Sequence, residues 1–337
     1  MNQLLLVWLQ FAACAALIAF AGARLSRYGD VIADKTGLSG SWIGLVLLAT
    51  VTSLPELVTG LSSVTVADVP NIAVGDVLGS CVFNLVILVL LDFLERGESV
   101  YRRASQGHIL SAACGIVLIG FAGLNILLGD KAALAFGHVG AYTPVIVLFY
   151  VIAMRTVFFY ERVQMAEFVE KAADRYPQLT LRQAGLRYAL AALVIVAAGT
   201  WLPFIGVQLA EVMGWHKTFV GTLFVAGATS LPELAVTIAA VRIGALDMAI
   251  ANLLGSNLFD ILILAVDDLF FLKGPLLSHV SPMHAMTAMS AVVMSGIVIV
   301  GLLYRPQTRV LRSVGWVSLG LFTFYLLNIF VLYLHGE

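Results

Sequence analysis

The chain alternates long apolar runs with short polar patches every 25 to 35 residues, the spacing produced when each helix needs about 20 apolar residues to cross a hydrocarbon layer. No succession of roughly 10-residue segments with alternating polarity occurs, which argues against a membrane β-barrel. The pattern predicts an all-α polytopic membrane protein with ten transmembrane helices, at residues 3 to 26, 40 to 66, 70 to 94, 107 to 128, 140 to 160, 186 to 213, 218 to 241, 246 to 270, 284 to 304 and 312 to 334.

Composition agrees with that count. Hydrophobic residues make up 61% and charged residues 12% of the 337, with mean hydropathy +0.98; a soluble domain carries roughly 25% charged residues. Lys and Arg collect on the cytoplasmic side of membrane proteins. With the N-terminus outside, ten spans leave only Lys131, Lys217 and Lys273 of the 19 basic residues on the outer side. Merging or adding one upstream span scrambles that asymmetry, so both termini are expected outside. The first apolar run is expected to be retained rather than cleaved: "MNQ" lacks the positive charge of a signal peptide, and Arg24 and Arg27 follow the run. Cys14, Cys81 and Cys114 lie in apolar helix sequence without paired spacing, as packing residues would.

The sequence repeats itself. Residues 44 to 60, "GLVLLATVTSLPELVTG", align with 221 to 237, "GTLFVAGATSLPELAVT"; residues 75 to 94, "GDVLGSCVFNLVILVLLDFL", align with 251 to 270, "ANLLGSNLFDILILAVDDLF". The copies occupy spans two and three, and spans seven and eight. Five spans separate them, an odd number, so the copies insert with opposite orientation. Two inverted five-helix repeats follow: an N-terminal repeat over 1–162 with its motifs at about 40–94, a cytoplasmic linker over 163–183, and a C-terminal repeat over 184–337 with its motifs at about 217–270. Inverted repeats with interrupted helices at corresponding positions are the pattern of secondary transporters, whose site lies at the midplane between repeats.

The repeated motif supplies cation chemistry. Pro55 and Pro232 lack an N–H, which leaves the carbonyls of Val51 and Ala228 without their helical partner. Thr52, Ser53, Thr229 and Ser230 add hydroxyls at the break, and Glu56 and Glu233 follow with carboxylates. Ser80 with Asn84, and Ser256 with Asp260, stand at i and i+4 on one helix face. This is an all-oxygen inventory suited to hard ions such as Ca²⁺ and Na⁺; the absence of His and Cys argues against Zn²⁺ or copper. A charge at the bilayer centre costs about 2.5–3.5 kcal/mol on insertion scales, so Glu56, Glu233 and Asp260 are expected to be functional and to hold a cation or a proton. A site that crosses readily when filled and poorly when empty and charged couples two fluxes.

On these residues the chain resembles the Ca²⁺/cation antiporter superfamily, the sodium/calcium exchanger group, whose repeats carry "GTSxPE" and "GSNxFN" or "GSNxFD". The resemblance implies a Ca²⁺/Na⁺ antiporter working by alternating access, not an enzyme, with no cofactor beyond the transported ions. It implies Glu56 and Glu233 as central Ca²⁺ ligands with the carbonyls of Thr52 and Thr229. Ser53, Ser80, Ser230 and Ser256, with backbone oxygens of Ala49 and Ala226, would complete flanking Na⁺ sites; Asn84 and Asp260 would hold the remaining central position. Spans one and six would slide across the ligand-bearing bundle. Expected partners are small inorganic cations and the lipid bilayer, with no nucleic acid, and the chain is expected to function as a monomer. Its short linker lacks the large regulatory insertion of animal relatives, which places it in a prokaryotic cell (inner) membrane.

The chain departs from the family pattern at Thr50, where a glycine is usual, at Cys81, where the second copy has Asn257, and at Asp76, where the second copy has Asn252. Asp76 adds a fourth carboxylate, which could serve an H⁺ or K⁺ coupled exchange, add a cation, or face water at a helix start. A cation channel is the alternative from another class, although channels usually assemble a ring of subunits; an aspartyl protease would leave the repeated "TSLPE" unexplained. Asp92 and Asp268 are expected as solvated residues at helix ends, and His108, His216 and His284 near the membrane interfaces with no spacing that suggests a metal site.

Overall fold

The computed structural model describes residues 3–36, 49–94, 98–129, 134–165, 176–242, 246–306, 309–310 and 314–335. The helices are α1 (Gln3–Lys35), α2 (Leu54–Thr65), α3 (Pro70–Leu94), α4 (Val100–Arg103), α5 (Gly107–Leu128), α6 (Tyr142–Met165), α7 (Leu181–Met213), α8 (Lys217–Val220), α9 (Ala226–Thr229), α10 (Leu231–Arg242), α11 (Leu246–Phe270), α12 (His284–Tyr304) and α13 (Trp316–His335), with a π-helical turn at Gly221–Val225 between α8 and α9. Among the described residues eight helices are long and apolar enough to span a membrane, and the bent pair Lys217–Thr229 with Leu231–Arg242 makes a ninth. The tenth expected span, 40 to 66, lies partly outside the described residues, as does most of the 163–183 linker.

Corresponding helices of the two repeats match in length. The first helix of each, α1 and α7, has 33 residues; the segments after the break, α2 and α10, have 12; the helices α3 and α11 have 25. The last two helices of each repeat are joined by a minimal antiparallel hairpin, β1 (Ala135–Phe136) with β2 (Val139–Gly140) and β3 (Arg309–Val310) with β4 (Val314–Gly315).

Two helices outrun their apolar stretch. The first, α1, continues past the expected residue 26 to Lys35, because its charged end stays helical while reaching polar surroundings. The other, α7, begins at Leu181 rather than 186, where Thr180 and Gln183 form a reciprocal capping box: Gln183 N donates to Thr180 Oγ1 and Thr180 N to Gln183 Oε1, both at 3.2 Å. Gly214, at φ 66°, closes the helix in the left-handed conformation.

Burial ranks the helices. In the apolar window of α11, 78% of residues are buried within the protein, and in α3 67%; in α1 only 22% are. The two motif-bearing helices therefore form the core, and α1 turns most of its surface outward. The long helices α1 and α7 pack against each other and lie across the breaks. A Cβ at Gly22 of α1 would stand 2.2 Å from Pro232 Cγ, and one at Gly199 of α7 would stand 3.2 Å from Val58 Cβ.

Asp92 and Asp268 are not solvated: both are fully buried. Asp92 Oδ1 accepts from Ser99 Oγ (3.0 Å) and Val100 N (3.2 Å), and its Oδ2 accepts from Gly315 N (2.9 Å) and Ser318 Oγ (2.8 Å). Asp268 Oδ1 accepts from Tyr142 Oη (2.5 Å) and Leu276 N (2.7 Å), and its Oδ2 accepts from Gly140 N (2.9 Å) and from Thr143 Oγ1. Each aspartate thus ties the end of one core helix to the hairpin of the other repeat. At the opposite ends of these helices the duplication recurs. Asp247 Oδ1 accepts from Ser105 N (2.7 Å) and meets His108 Nε2 (2.9 Å); Asn71 Oδ1 accepts from Ser281 N (2.7 Å) and meets His284 Nε2 (3.2 Å). His108 and His284 are buried as well.

Candidate functional site

Both proline motifs break their helices in the same way. Ser53 (φ −84°, ψ 13°) and Ser230 (φ −81°, ψ 6°) leave helical geometry, and Pro55 and Pro232 sit in the first turns of α2 and α10. The second break bends its helix by 44°. Residues 49–52 are helical before the first break. Close packing then brings the breaks to the core helices. Gly79 of α3 lies so near the π turn that a Cβ would stand 2.5 Å from Thr222 O, and a Cβ on Gly255 of α11 would touch Ala49 Cβ at 3.4 Å.

The thirteen positions singled out from the sequence, Ala49, Thr52, Ser53, Glu56, Asp76, Ser80, Asn84, Ala226, Thr229, Ser230, Glu233, Ser256 and Asp260, are all buried. Hydrogen bonds across the repeats knit them together. Ser53 Oγ donates to Glu233 Oε1 (3.3 Å), and Ser230 Oγ lies 3.4 Å from Glu56 Oε1 and 3.0 Å from Ser80 Oγ. Ser80 Oγ donates to Glu56 Oε1 (3.4 Å), and Thr52 Oγ1 lies 3.5 Å from Ser256 Oγ. Each glutamate is therefore held by the serine of the opposite break.

Among the described residues, one oxygen of every acidic or amide member remains without a hydrogen-bond partner: Glu56 Oε2, Glu233 Oε2, Asp260 Oδ1, Asp76 Oδ2 and Asn84 Oδ1. The carboxylates of Glu233, Asp260 and Asp76 all act electrostatically on Glu56. Buried oxygens left unpaired are costly unless a proton or cation satisfies them. Among the described residues no three His, Cys, Asp or Glu side chains converge as a ready metal shell, so an ion here would rely on hydroxyl, amide and carbonyl oxygens beside the carboxylates.

The carbonyls of Ala49 and Ala226 are already engaged. Ala49 O accepts from Ser53 N (3.1 Å) and Thr52 Oγ1 (3.0 Å), and Ala226 O from Ser230 N (3.0 Å) and Thr229 Oγ1 (3.1 Å). The threonine hydroxyls must turn away before these carbonyls can bind an ion. Asp76, whose place at a helix start left water contact open, is fully buried, and its Oδ1 accepts from Thr229 Oγ1 (2.8 Å). Cys81 takes part in the same core. Asn257 Nδ2 donates to Cys81 O (3.2 Å) and Asn84 Nδ2 to Asn257 Oδ1 (3.0 Å), while the Cys81 thiol reaches Asp260 Oδ2 at 3.8 Å. Asn257, noted in the sequence only as the counterpart of Cys81, was not placed among the site residues because position 81 carries no amide.

The family model described as sodium/calcium exchanger protein matches residues 6–160 and 185–331, one segment per repeat. The inner membrane protein YrbG of Escherichia coli (strain K12) is 25% identical over 319 residues, covering 92% of each chain. The solved H⁺/Ca²⁺ exchanger CAX superposes with a TM-score of 0.68 at 14% identity, over 97% of this chain and 81% of that one. The sodium-calcium exchanger NCX_Mj superposes with a TM-score of 0.62 at 20% identity, over 97% and 98%.

Proposed function

The chain belongs to the sodium/calcium exchanger protein family, and from that membership we propose that it exchanges Ca²⁺ for Na⁺ by alternating access. It is a polytopic membrane protein of a transporter family rather than an enzyme. The observation that carries the reading is the exchange of serines between breaks: Ser53 bonds Glu233 and Ser230 bonds Glu56. Two carboxylates from opposite repeats thereby face one place, each with an oxygen that has no hydrogen-bond partner among the described residues.

In this proposal Glu56 and Glu233 bind Ca²⁺ from both sides with the carbonyls of Thr52 and Thr229. Ser53, Ser80, Ser230 and Ser256 hold Na⁺ with the carbonyls of Ala49 and Ala226, and Asn84 and Asp260 close the ring. Hard cations with flexible oxygen shells suit such a set. An empty site carries several repelling charges in a low dielectric, so the loaded forms cross between faces more readily than the empty one. The helices α1 and α7, which pack on each other and on the two breaks, are the elements proposed to slide. The repeats are proposed to run inverted over 1–162 and 184–337, with the linker cytoplasmic, both termini outside a prokaryotic inner membrane, and one chain sufficient for transport.

Asp76 favours a second reading in which a proton replaces one Na⁺. It adds a buried carboxylate with an unpaired oxygen beside Thr229. Ca²⁺ uptake into proteoliposomes, driven in turn by Na⁺, K⁺ and pH gradients, decides between them. Uptake that needs none of these gradients would mean a channel. Glu56→Gln and Glu233→Gln are each expected to lower uptake at least 100-fold, about 3 kcal/mol; full activity in either variant refutes its assigned role.

A further inference from the structure

One buried carboxyl lies outside the ligand set. Asp267 is fully buried in α11, and neither of its oxygens has a hydrogen-bond partner among the described residues. It stands seven residues beyond Asp260, hence two turns along the same helix face and about 10 Å farther on at 1.5 Å per residue. Opposite it is Gly60 of α2, one turn beyond Glu56. A Cβ built on Gly60 would lie 2.4 Å from Asp267 Oδ2 and 2.8 Å from Oδ1. The carboxyl has room because position 60 carries no side chain.

Neither packing nor fold asks for an acid here. In the aligned first repeat the corresponding residue is Leu91, which is fully buried in the equivalent helix. The side chains that bear on it electrostatically, Asp76 and Asp268, are both acidic, so neither offers a counter-charge. Titratable groups on the elements packed against α11 include Glu56 on α2, Asp92 on α3, His108 on α5, Glu233 and Arg242 on α10, and Arg155, Tyr150 and Tyr142 on α6, with the Tyr142 hydroxyl bound to Asp268. Beyond the helix end lie His138, bonded to Leu269 O, and Lys273, paired with Asp68. An ionised carboxylate with no donor and no basic partner is strongly disfavoured in such surroundings, and a buried ionisable residue in a membrane-spanning helix marks an ion route by default.

We propose that Asp267 is a second cation station, separate from the central oxygen cage, that holds one monovalent charge, H⁺ or Na⁺, on the route between Glu56 and the end of the bundle where α2 and α11 terminate. The proposal rests on the antiporter reading of the central site. A single carboxylate pressed against a glycine leaves no room for the six to eight oxygens of Ca²⁺. The charge held at Asp267 travels with the counter-ions and sets their number per Ca²⁺.

The test uses the full chain in proteoliposomes as wild type, Asp267→Asn and Asp267→Leu. The leucine variant reproduces the packing of the first repeat and guards against misfolding. Ca²⁺ flux is nulled against an imposed membrane potential to count charges per cycle. Both variants are expected to keep moving Ca²⁺ with one counter-charge fewer; a reversal potential equal to wild type in both overturns the proposal. Infrared difference spectra of the purified protein identify the occupant. A protonated-carboxyl band lost in Asp267→Asn and on alkalinisation assigns H⁺, a carboxylate band that changes with Na⁺ and depends on Asp267 assigns Na⁺, and spectra identical in wild type and variant overturn the proposal. Wild-type protein that moves no Ca²⁺ against any gradient refutes the antiporter reading instead, and the spectra then judge Asp267 alone.

Discussion

Replacing Asp268 with asparagine should destabilise the protein severely even though it keeps the side chain's shape. Four donors converge on this buried carboxylate, two on each oxygen: Tyr142 Oη and Leu276 N on Oδ1, Gly140 N and Thr143 Oγ1 on Oδ2. Asparagine retains one acceptor oxygen and presents an NH₂ to the other pair, so two donors lose their partner and face a third. Hydrogen bonds to a charged group are worth about 1.5–3 kcal/mol each, which puts the loss at about 3–6 kcal/mol before relaxation. That is a large fraction of the 5–15 kcal/mol typical of folded proteins. Asp92→Asn should cost a similar amount, because Gly315 N and Ser318 Oγ share one of its oxygens and Ser99 Oγ and Val100 N the other. Thermal unfolding of the detergent-solubilised protein, followed by size-exclusion recovery, measures both. If either variant unfolds within about 0.5 kcal/mol of wild type, the range of a neutral surface change, the inter-repeat tie does not carry the stability assigned to it.

Gly79→Ala should destabilise by about 1–3 kcal/mol, since its Cβ meets backbone at Thr222, while Gly255→Ala, whose Cβ would only touch Ala49, should be near neutral in the same unfolding assay. Asp247→Asn should be tolerated because Asn71 does the same work in the other repeat, whereas Asp247→Ala strands His108 and the Ser105 amide and should cost about 1–3 kcal/mol. Asp76→Asn keeps an acceptor for Thr229 and should fold normally; if Asp76 carries the coupled proton, the pH dependence of Ca²⁺ flux flattens, and an unchanged profile removes it from coupling.

The repeated "TSLPE" and "GS" segments made the helical membrane fold, its two repeats and the buried oxygen cluster readable from sequence, because a proline and a glutamate inside apolar sequence have few other uses. Asp92 and Asp268 were misread as solvated. Their position at a helix end was correct, but nothing local reveals that a hairpin 223 residues away in sequence, at Gly315, folds over Asp92. The partners of His108 and His284 are equally hidden from local sequence, since Asp247 and Asn71 lie 139 and 213 residues distant. Helix ends were misjudged for a different reason. Apolarity marks where lipid stops, whereas the helix of α1 continues through Arg24 and Arg27 to Lys35. The engagement of the Ala49 and Ala226 carbonyls was equally invisible, since it depends on threonine rotamers.

The two repeats keep the same bonding pattern where they hold the frame and share the glutamates, serines and threonines of the breaks, but along the core helices they differ in which copy carries an acid. Asp92 and Asp268 are identical and bind matching donors, and Asn71 and Asp247 each accept through the corresponding Oδ1, amide in one and carboxylate in the other. Along the core helices, by contrast, Asp76 stands opposite Asn252, Asn84 opposite Asp260, and Leu91 opposite Asp267. An asparagine and an aspartate occupy nearly the same volume and each offers an oxygen, so such a swap moves a charge without moving a helix. The pseudo-symmetric scaffold can then present an equivalent path to each face while the charges along it are unequal. In the proposed exchange that inequality would set ion identity and stoichiometry, and the glutamates common to both repeats would supply the site each ion passes.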